Sequence, residues 1–346
     1  MQKIQTTRAA LSLLPMLLLA ACGGGGGDAG SSAPQPVQLV VTSSNAQPVA
    51  ADALQTSGTT GVGATGAALV TGVQVDAGGS ASAPLQVAGA ARHLIGMVPA
   101  APALATAATV NSTAQCSGGG SVTINGSVAN SSVLNTGDQI ALTASNCVET
   151  VDGTTERLNG TITISVLSGP FDPNGSVFPK SVQLRVVAQN FALVQGSQTT
   201  VSDGDLQVSV VQNSATASST TLSANALSST VTTPSGTRST TLRNYSQQID
   251  QTSSQSVVRV TATVETNNSR IAGGALVSYA LATPSPLTLN ATGAYTGGSL
   301  RVTGQASSLL LTVSGVDTFT LQVDTNGDGT FDSSSAVTRA QLNALL

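Results

Sequence analysis

The sequence predicts a mainly β protein: an antiparallel meander of about twelve strands curled into a barrel-like or sandwich shape, with a few short helices near the N-terminus. From residue 111 onward, apolar and polar residues alternate with the period of two that is typical of strands. Short connections containing Gly, Asn, Ser or Pro separate the runs, and they leave no room for the helical crossovers of a parallel sheet. An open sheet of this many strands twists strongly, so we expect it to curl or to form two layers.

Each predicted strand is one alternating run. Several runs begin near a glycine that is followed two residues later by Val, Ile or Leu, at Gly126, Gly160, Gly204, Gly274 and Gly298. We predict that these glycines supply the positive φ of the turns before the strands. The predicted strands are 120–128, 139–145, 158–167, 181–194, 204–211, 218–227, 237–246, 256–265, 273–282, 298–304, 307–315 and 318–324.

The region 37–110 is rich in Ala and Gly and differs in composition from the alternating runs after it. It predicts a short strand at 37–42, a short helix in AQPVAADALQ and a longer helix in APLQVAGAARHLIGMV. The longer helix is expected to cover one face or end of the β domain; the alternative is a helix on a membrane surface. A further short helix is predicted after Thr338. The apolar stripe of the longer helix is Val87, Ala91, Leu94 and Val98.

The first 21 residues have the pattern of a signal peptide. Lys3 and Arg8 precede an apolar run of about 13 residues, which is shorter than the roughly 20 that span a bilayer. The run ends in Leu-Ala-Ala-Cys at residues 19–22, which resembles the lipobox of bacterial lipoproteins. This resemblance implies that Cys22 becomes the N-terminus and carries acyl chains such as palmitate, and more than one chain anchors a protein stably. The alternative is an ordinary secretory signal with an incidental Cys at its cleavage site.

The residue after Cys22 bears on which membrane carries the protein, and the N-terminal segment sets the first boundaries between regions of the chain. Residue 23 is Gly rather than Asp, and in lipoproteins of two-membrane bacteria this implies, by resemblance, the outer membrane. The sequence is compatible with attachment to either the periplasmic or the surface face of that membrane. The chain thus divides into a signal peptide (1–21), a lipidated Cys with a flexible Gly-rich tether (22–36), the Ala/Gly-rich region (37–110) and an antiparallel β domain (111–346).

The cysteine count predicts a disulfide bond. The chain has three Cys, and setting aside Cys22 leaves Cys116 and Cys147 as an even pair in an oxidising compartment. We predict that these two are bonded to each other; two separate reduced thiols are the alternative.

Several stretches together resemble a group of uncharacterised outer-membrane lipoproteins of Gram-negative bacteria. They are 116–127 (CSGGGSVTINGS), 134–140 (LNTGDQI), Asn146-Cys147, 158–161 (LNGT) and the strand–DTNGDGTFD–strand ending. The likeness covers roughly residues 37–346, and it implies only the fold and the location.

Charge and composition argue against several functions. Without residues 1–21, the chain has ten basic and sixteen acidic residues, which argues against nucleic acid as a partner. The single His, His93, has no acid near it in sequence for a catalytic triad. The acids at 149, 152 and 156 and at 203 and 205 are interpreted as solvated loop residues. We therefore predict that the protein is not an enzyme.

Four arginines lie inside predicted strands, next to apolar residues that we expect to face the core. They are therefore expected on the polar face, where they protect the sheet from aggregation. Convergence of the four into an anion site is the alternative. They are Arg185, Arg243, Arg259 and Arg301.

The segment DTNGDGTFDSSS has two interpretations. Asp324, Asn326, Asp328 and Asp332 occupy positions 1, 3, 5 and 9 of an EF-type calcium loop, but position 12 is a serine and a strand rather than a helix precedes the loop. A β-hairpin tip is therefore favoured. A low-affinity calcium site on that tip is the alternative, and no other cofactor is expected.

The sequence thus predicts a lipid-anchored cell-envelope protein with a non-catalytic structural or interaction role. The alternative is a periplasmic carrier that holds an apolar ligand inside the curled sheet, and a hydrolase is a distant third. The expected partners are the membrane, through the lipid, and either an envelope protein or an apolar ligand.

Overall fold

The structure is a computed structural model that describes residues 35–58, 82–96, 108–129, 133–151, 154–171 and 178–346. These residues belong to one compact unit, Gln35–Leu346. The predicted signal peptide, Cys22 and most of the tether lie outside the described residues.

The described residues form fifteen strands and four helices. The helices are α1 (Ala46–Thr56), α2 (Ala83–Gly96), α3 (Ser269–Ala272) and α4 (Arg339–Asn343). The strands are β1 (Val37–Gln38), β2 (Ala108–Gln115), β3 (Ser121–Val128), β4 (Gln139–Val151), β5 (Thr154–Ser168), β6 (Lys180–Gln195), β7 (Gln198–Ser214), β8 (Ala217–Thr233), β9 (Gly236–Gln251), β10 (Gln255–Thr266), β11 (Val277–Asn290), β12 (Tyr295–Gly304), β13 (Ser307–Gly315), β14 (Thr318–Asp324) and β15 (Ser333–Thr338).

The predicted antiparallel meander is confirmed. Strands β2 to β15 pair in sequence order in one sheet that is not closed, and β1 joins β11 in parallel, with Val37 opposite Val277. The meander has two strands more than the twelve expected. These are β2 and β15, which form its two edges. Both edge strands contain few apolar residues, so neither carries the alternating pattern that marks the central strands.

One face of the sheet is buried against helices. In β10, for example, every second residue from Ser256 to Thr266 is buried, and the residues between them are exposed or half-buried. Helix α1 contacts β12, β13 and β14, and α2 contacts β6, β7 and β8. Helix α1 is buried on most sides. Four of its eleven residues are Ala, and all four are buried. Their small side chains allow the helix backbone to lie close to the elements that pack against it.

Helix α2 lies on the sheet, as the sequence predicts. Val87, Ala91 and Leu94 from its apolar stripe are buried in the common core, whereas Val98 lies outside the described residues. The alternative of a membrane-surface helix is wrong, because the sheet already covers this stripe. The predicted C-terminal helix is confirmed as α4, which Thr338 and Gln341 cap reciprocally.

The prediction that glycines mark turns before strands is wrong for four of the five, and the first of these, Gly126, lies inside β3 without a positive φ. Gly160, Gly204 and Gly298 have positive φ but lie inside β5, β7 and β12. A Cβ on Gly160 would lie 2.2 Å from the carbonyl oxygen of Asn190 in the neighbouring strand. These positions require glycine because the adjacent backbone passes too close for any side chain. Gly274, by contrast, lies in the connection before β11.

Gly160 and Gly204 belong to a row of β-bulges that crosses six strands of the sheet. At each bulge, neighbouring residues of one strand face outward together and the register with a neighbouring strand shifts. Asn146, Asn190 and Asn244 adopt φ of 47°, 47° and 48° there. We call this row the bulge band: Ser145–Asn146, Asn159–Gly160, Gln189–Asn190, Asp203–Asp205, Asn225–Ala226 and Arg243–Asn244, on β4 to β9.

Side chains of the bulge band satisfy the backbone that the bulges expose. Asn159 Oδ1 accepts a hydrogen bond from the Asn146 N–H at 2.8 Å, and Asp203 Oδ1 accepts one from the Asn190 N–H at 2.6 Å. Bulges bend strands and increase their twist. Because these lie side by side, we expect them to bend the sheet along one line that crosses strands of up to 17 residues.

The predicted disulfide is confirmed: Cys116, in the β2–β3 connection, is bonded to Cys147 of β4, with 5.4 Å between their Cα atoms. The bond therefore fastens the edge hairpin to the next strand.

We expect the double variant Cys116→Ser with Cys147→Ser to lose about 3–4 kcal/mol of unfolding free energy, because the unfolded chain is no longer cross-linked. Urea unfolding without reductant measures the loss. Reduced wild-type protein serves as the control and should match the variant; equal midpoints for reduced and oxidised wild type would contradict the expectation.

Candidate functional site

The acidic segment near the C-terminus is the connection between β14 and β15, so the hairpin topology is confirmed. It is an eight-residue loop rather than a tight turn, and its carboxylates bind backbone N–H groups. Asp324 is buried, and its oxygens accept from the N–H groups of Asn326, Gly327 and Gly329 at 3.2, 2.6 and 3.0 Å. Asp332 Oδ2 accepts from Thr325.

The calcium alternative stays a prediction. The hairpin interpretation predicts that millimolar calcium leaves the Tm of the full chain unchanged and releases no heat. The calcium interpretation predicts a higher Tm that the Asp328→Asn variant loses, since Asp328 would supply a ligand. Calorimetry decides between them, with magnesium as the control, because it requires a tighter octahedral geometry.

The four strand arginines lie on the exposed face, as predicted, but three of them have acidic partners. Because these partners largely neutralise the cations, a convergent anion site, the sequence-based alternative, finds no support in this geometry. The pairs are Arg185–Asp205 at 2.6 Å, Arg243–Glu265 at 2.5 Å and Arg259–Asp250 at 2.8 Å.

The acids expected in loops lie mostly in strands, which corrects that prediction. Glu149 is on β4 and faces Glu156 on β5 across the ladder, while Asp203 and Asp205 are on β7. Glu149 accepts hydrogen bonds from the N–H and the hydroxyl of Ser117. Asp152 lies outside the described residues.

His93 lies half-buried on α2. Burial lowers its pKa, the negative charge of Glu149 opposes this shift, and Arg92 adds to it. Among the described residues, one group of three His, Cys, Asp or Glu ligand atoms lies within 4.8 Å, and it consists of Cys116, Cys147 and Glu149. Because the two sulfurs are bonded to each other, this group does not offer thiolates to a metal.

A buried polar network joins α1 to the sheet. Asp52, on α1, is 2% exposed. Its Oδ2 accepts a hydrogen bond from the Tyr279 hydroxyl at 2.6 Å, and its Oδ1 accepts one from Asn268 Nδ2 at 3.3 Å. Arg238 Nη1 lies 3.9 Å from Asp52 Oδ1, and Arg238 Nη2 donates to Gln55 at 2.9 Å. The network thus fixes α1 to β9, β11 and the start of α3.

A second buried contact fixes the end of the same helix. The hydroxyl of Tyr245 donates to Gln247 Oε1 at 2.8 Å, and Gln247 Nε2 donates to the carbonyl of Ser57 at 2.6 Å. Tyr245 and Gln247 both lie on β9, so this strand holds the C-terminal end of α1.

Two small, partly open pockets lie beside the helices. One, of about 40 Å³, borders the network and is lined by Asp52, Gln55, Ser82, Gln86, Arg238 and Thr240, among others. The other, of about 20 Å³, lies between α2 and β5–β7 and is mostly apolar. These volumes hold about three water molecules and one, respectively.

Burial makes two tyrosines resist ionisation. Loss of water contact raises the pKa of Tyr279, and the charge of Asp52 raises it further; burial likewise raises the pKa of Tyr245. Above about pH 10 the unfolded tyrosines lose their protons and the folded ones keep them. The unfolded state then binds fewer protons, so the unfolding free energy falls as pH rises.

We expect a loss of about 1.4 kcal/mol per pH unit for each of these tyrosines above about pH 10. Urea unfolding of wild type, Tyr279→Phe and Tyr245→Phe between about pH 9 and 11 measures the slopes. Each variant should show a shallower decline. A slope that neither substitution changes would contradict the expectation.

A larger depression lies on the outer face of the sheet. It has a volume of about 240 Å³ and lies where the bulge band crosses β7, β8 and β9. Its lining is mostly polar: Asp205, Gln207, Ser223, Ala224, Asn225, Asn244 and Tyr245.

Sequence reasoning missed both the buried network and the outer depression. Asp52 is the single charged residue in AQPVAADALQT, and this isolation in an apolar helix was a usable signal for a buried carboxylate. The depression had no comparable signal, because it depends on how bulges in different strands align.

Comparison of the chain with protein-family models, with curated proteins and with solved structures found no match. Of the helices in the described part of the chain, none has the length and apolar character needed to cross a membrane.

Proposed function

We propose that the protein is a lipid-anchored cell-envelope protein with a non-catalytic interaction role, held at the outer membrane through Cys22. The lipobox-like sequence at 19–22 and the Gly-rich tether support the anchor. The interaction role is supported most directly by one observation: the 240 Å³ depression lies on the outer face of the sheet and is polar. Such a surface is open to a large partner.

A carrier of an apolar ligand is less well supported. An apolar cavity of several hundred Å³ would favour it. The two pockets beside the helices have volumes of about 40 and 20 Å³, and the larger one borders polar side chains.

The anchor is tested at the N-terminus of the mature protein. Mass spectrometry is expected to find Cys22 as the first residue with acyl chains attached, and a Cys22→Ser variant should leave the membrane fraction. An unmodified N-terminus on membrane-associated protein would contradict the anchor.

The interaction role is separated from the carrier role by lipid extraction of the purified full chain. The interaction role predicts no stoichiometric lipid beyond the acyl chains on Cys22. A bound lipid at one mole per mole of protein would establish the carrier instead.

A further inference from the structure

The outer depression offers hydrogen-bonding groups that the protein itself does not use. Within the described residues, the side chains of Gln207, Ser223, Asn225 and Asn244 form no hydrogen bond with one another or with other groups. Each amide offers two donors and one acceptor, and the hydroxyl offers one of each. Asn225 and Asn244 lie opposite each other, between the paired positions Ala224–Tyr245 and Ala226–Arg243.

The charge of the depression is balanced. Its one carboxylate, Asp205, is paired through Oδ2 with Arg185. The other oxygen of Asp205, Oδ1, is buried and accepts no hydrogen bond from the described residues. A buried acceptor without a donor is costly, so a ligand whose hydroxyl group reaches this oxygen would offset that cost.

The polar character continues along the bulge band. Each of the six strands β4 to β9 presents adjacent outward residues there, among them Asn146, Asn159, Gln189, Asn190 and Asp203. Neighbouring strands lie about 4.8 Å apart, so the band is roughly 24 Å long. The length of a sugar unit in a glycan chain is close to this spacing, so successive units would meet successive strands.

We propose that the bulge band binds a neutral, hydroxyl-rich glycan chain and that the depression holds one of its sugar units. Sugar hydroxyls both donate and accept hydrogen bonds, as do the unpaired amides and Ser223. An anionic chain fits less well, because Arg185 and Arg243 already have carboxylate partners. The ring of Tyr245 is buried and its hydroxyl is bound to Gln247, so recognition depends on hydrogen bonds rather than stacking.

The inference rests on the proposed interaction role and does not require the lipid anchor. Isothermal titration of the full chain with neutral chito-, malto- and manno-oligosaccharides tests it. The test variant is Asn225→Ala with Asn244→Gly, since Gly keeps the positive φ of residue 244 without strain. The control is Asn125→Ala with Gln183→Ala, two exposed amides outside the band.

At least one of the three oligosaccharides is expected to bind, about tenfold more weakly to the test variant and equally well to the control variant. Equal Tm values for the two variants establish that both fold. Failure of all three sugars to bind wild type, or equal affinity of both variants, overturns the inference. In that case acylated Cys22 and the absence of bound lipid would still leave the proposed function standing.

Discussion

The Gly160→Ala variant is expected to lose about 3–5 kcal/mol of unfolding free energy, because two penalties combine. Residue 160 has φ of +94°, a conformation that side chains disfavour. The added Cβ would also lie 2.2 Å from the carbonyl oxygen of Asn190, so the bulge that joins β5 to β6 must shift. This loss is a large part of the 5–15 kcal/mol that stabilises a typical domain. Urea unfolding followed by far-UV circular dichroism measures it.

Gly274→Ala is the matched control for this prediction. Gly274 has nearly the same φ, +91°, but nothing lies within 4 Å of the position of its Cβ. The control should lose only about 1–2 kcal/mol, from backbone strain alone. Equal losses in the two variants would show that the close approach of β6 to Gly160 is not a constraint on the sheet.

The Asp52→Ala variant is expected to lose about 3–5 kcal/mol, because it leaves buried partners of the carboxylate unpaired. The Tyr279 hydroxyl and Asn268 would each lose an acceptor, and Arg238 would lose its nearest negative charge. Unfolding in urea gives the loss. The fluorescence and near-UV signals of Tyr279 and Tyr245 should also change, since α1 would no longer be held by β11.

Asp205→Ala is the control for the buried network. Asp205 also pairs with an arginine, but both side chains are more than 40% exposed, so we expect little change in stability. If Asp52→Ala were as mild as this control, the network would not be what holds α1 in place.

The strands were predictable from sequence because their inner face is apolar and their outer face is polar. Val258, Val260, Ala262 and Val264 show this in β10, where the period of two is unbroken. The edge strand β15 was harder, since Val337 is its one well-buried residue and a single residue sets no period. The lipobox-like segment was informative in sequence because it is a short contiguous motif.

The bulge band was not predictable, because each bulge adds one residue that local patterns do not distinguish from a strand end. Asn146, Asn190 and Asn244 are ordinary polar residues in sequence. Only the pairing of the strands shows that their bulges lie in one row across the sheet. The partners of Asp52 were equally hidden, because Arg238, Asn268 and Tyr279 lie 186 to 227 residues further along the chain.

We infer that the protein binds its partner through the bulge band on the outer face of the sheet. Site-specific photo-crosslinking in living cells tests it most directly, with the photoreactive amino acid placed at residue 225 in one strain and at residue 125 in another. Both positions are exposed on the outer face, but only residue 225 lies in the depression. The account predicts a polydisperse, glycan-staining adduct from residue 225 and none from residue 125. No adduct from residue 225, or equal adducts from both positions, would contradict it.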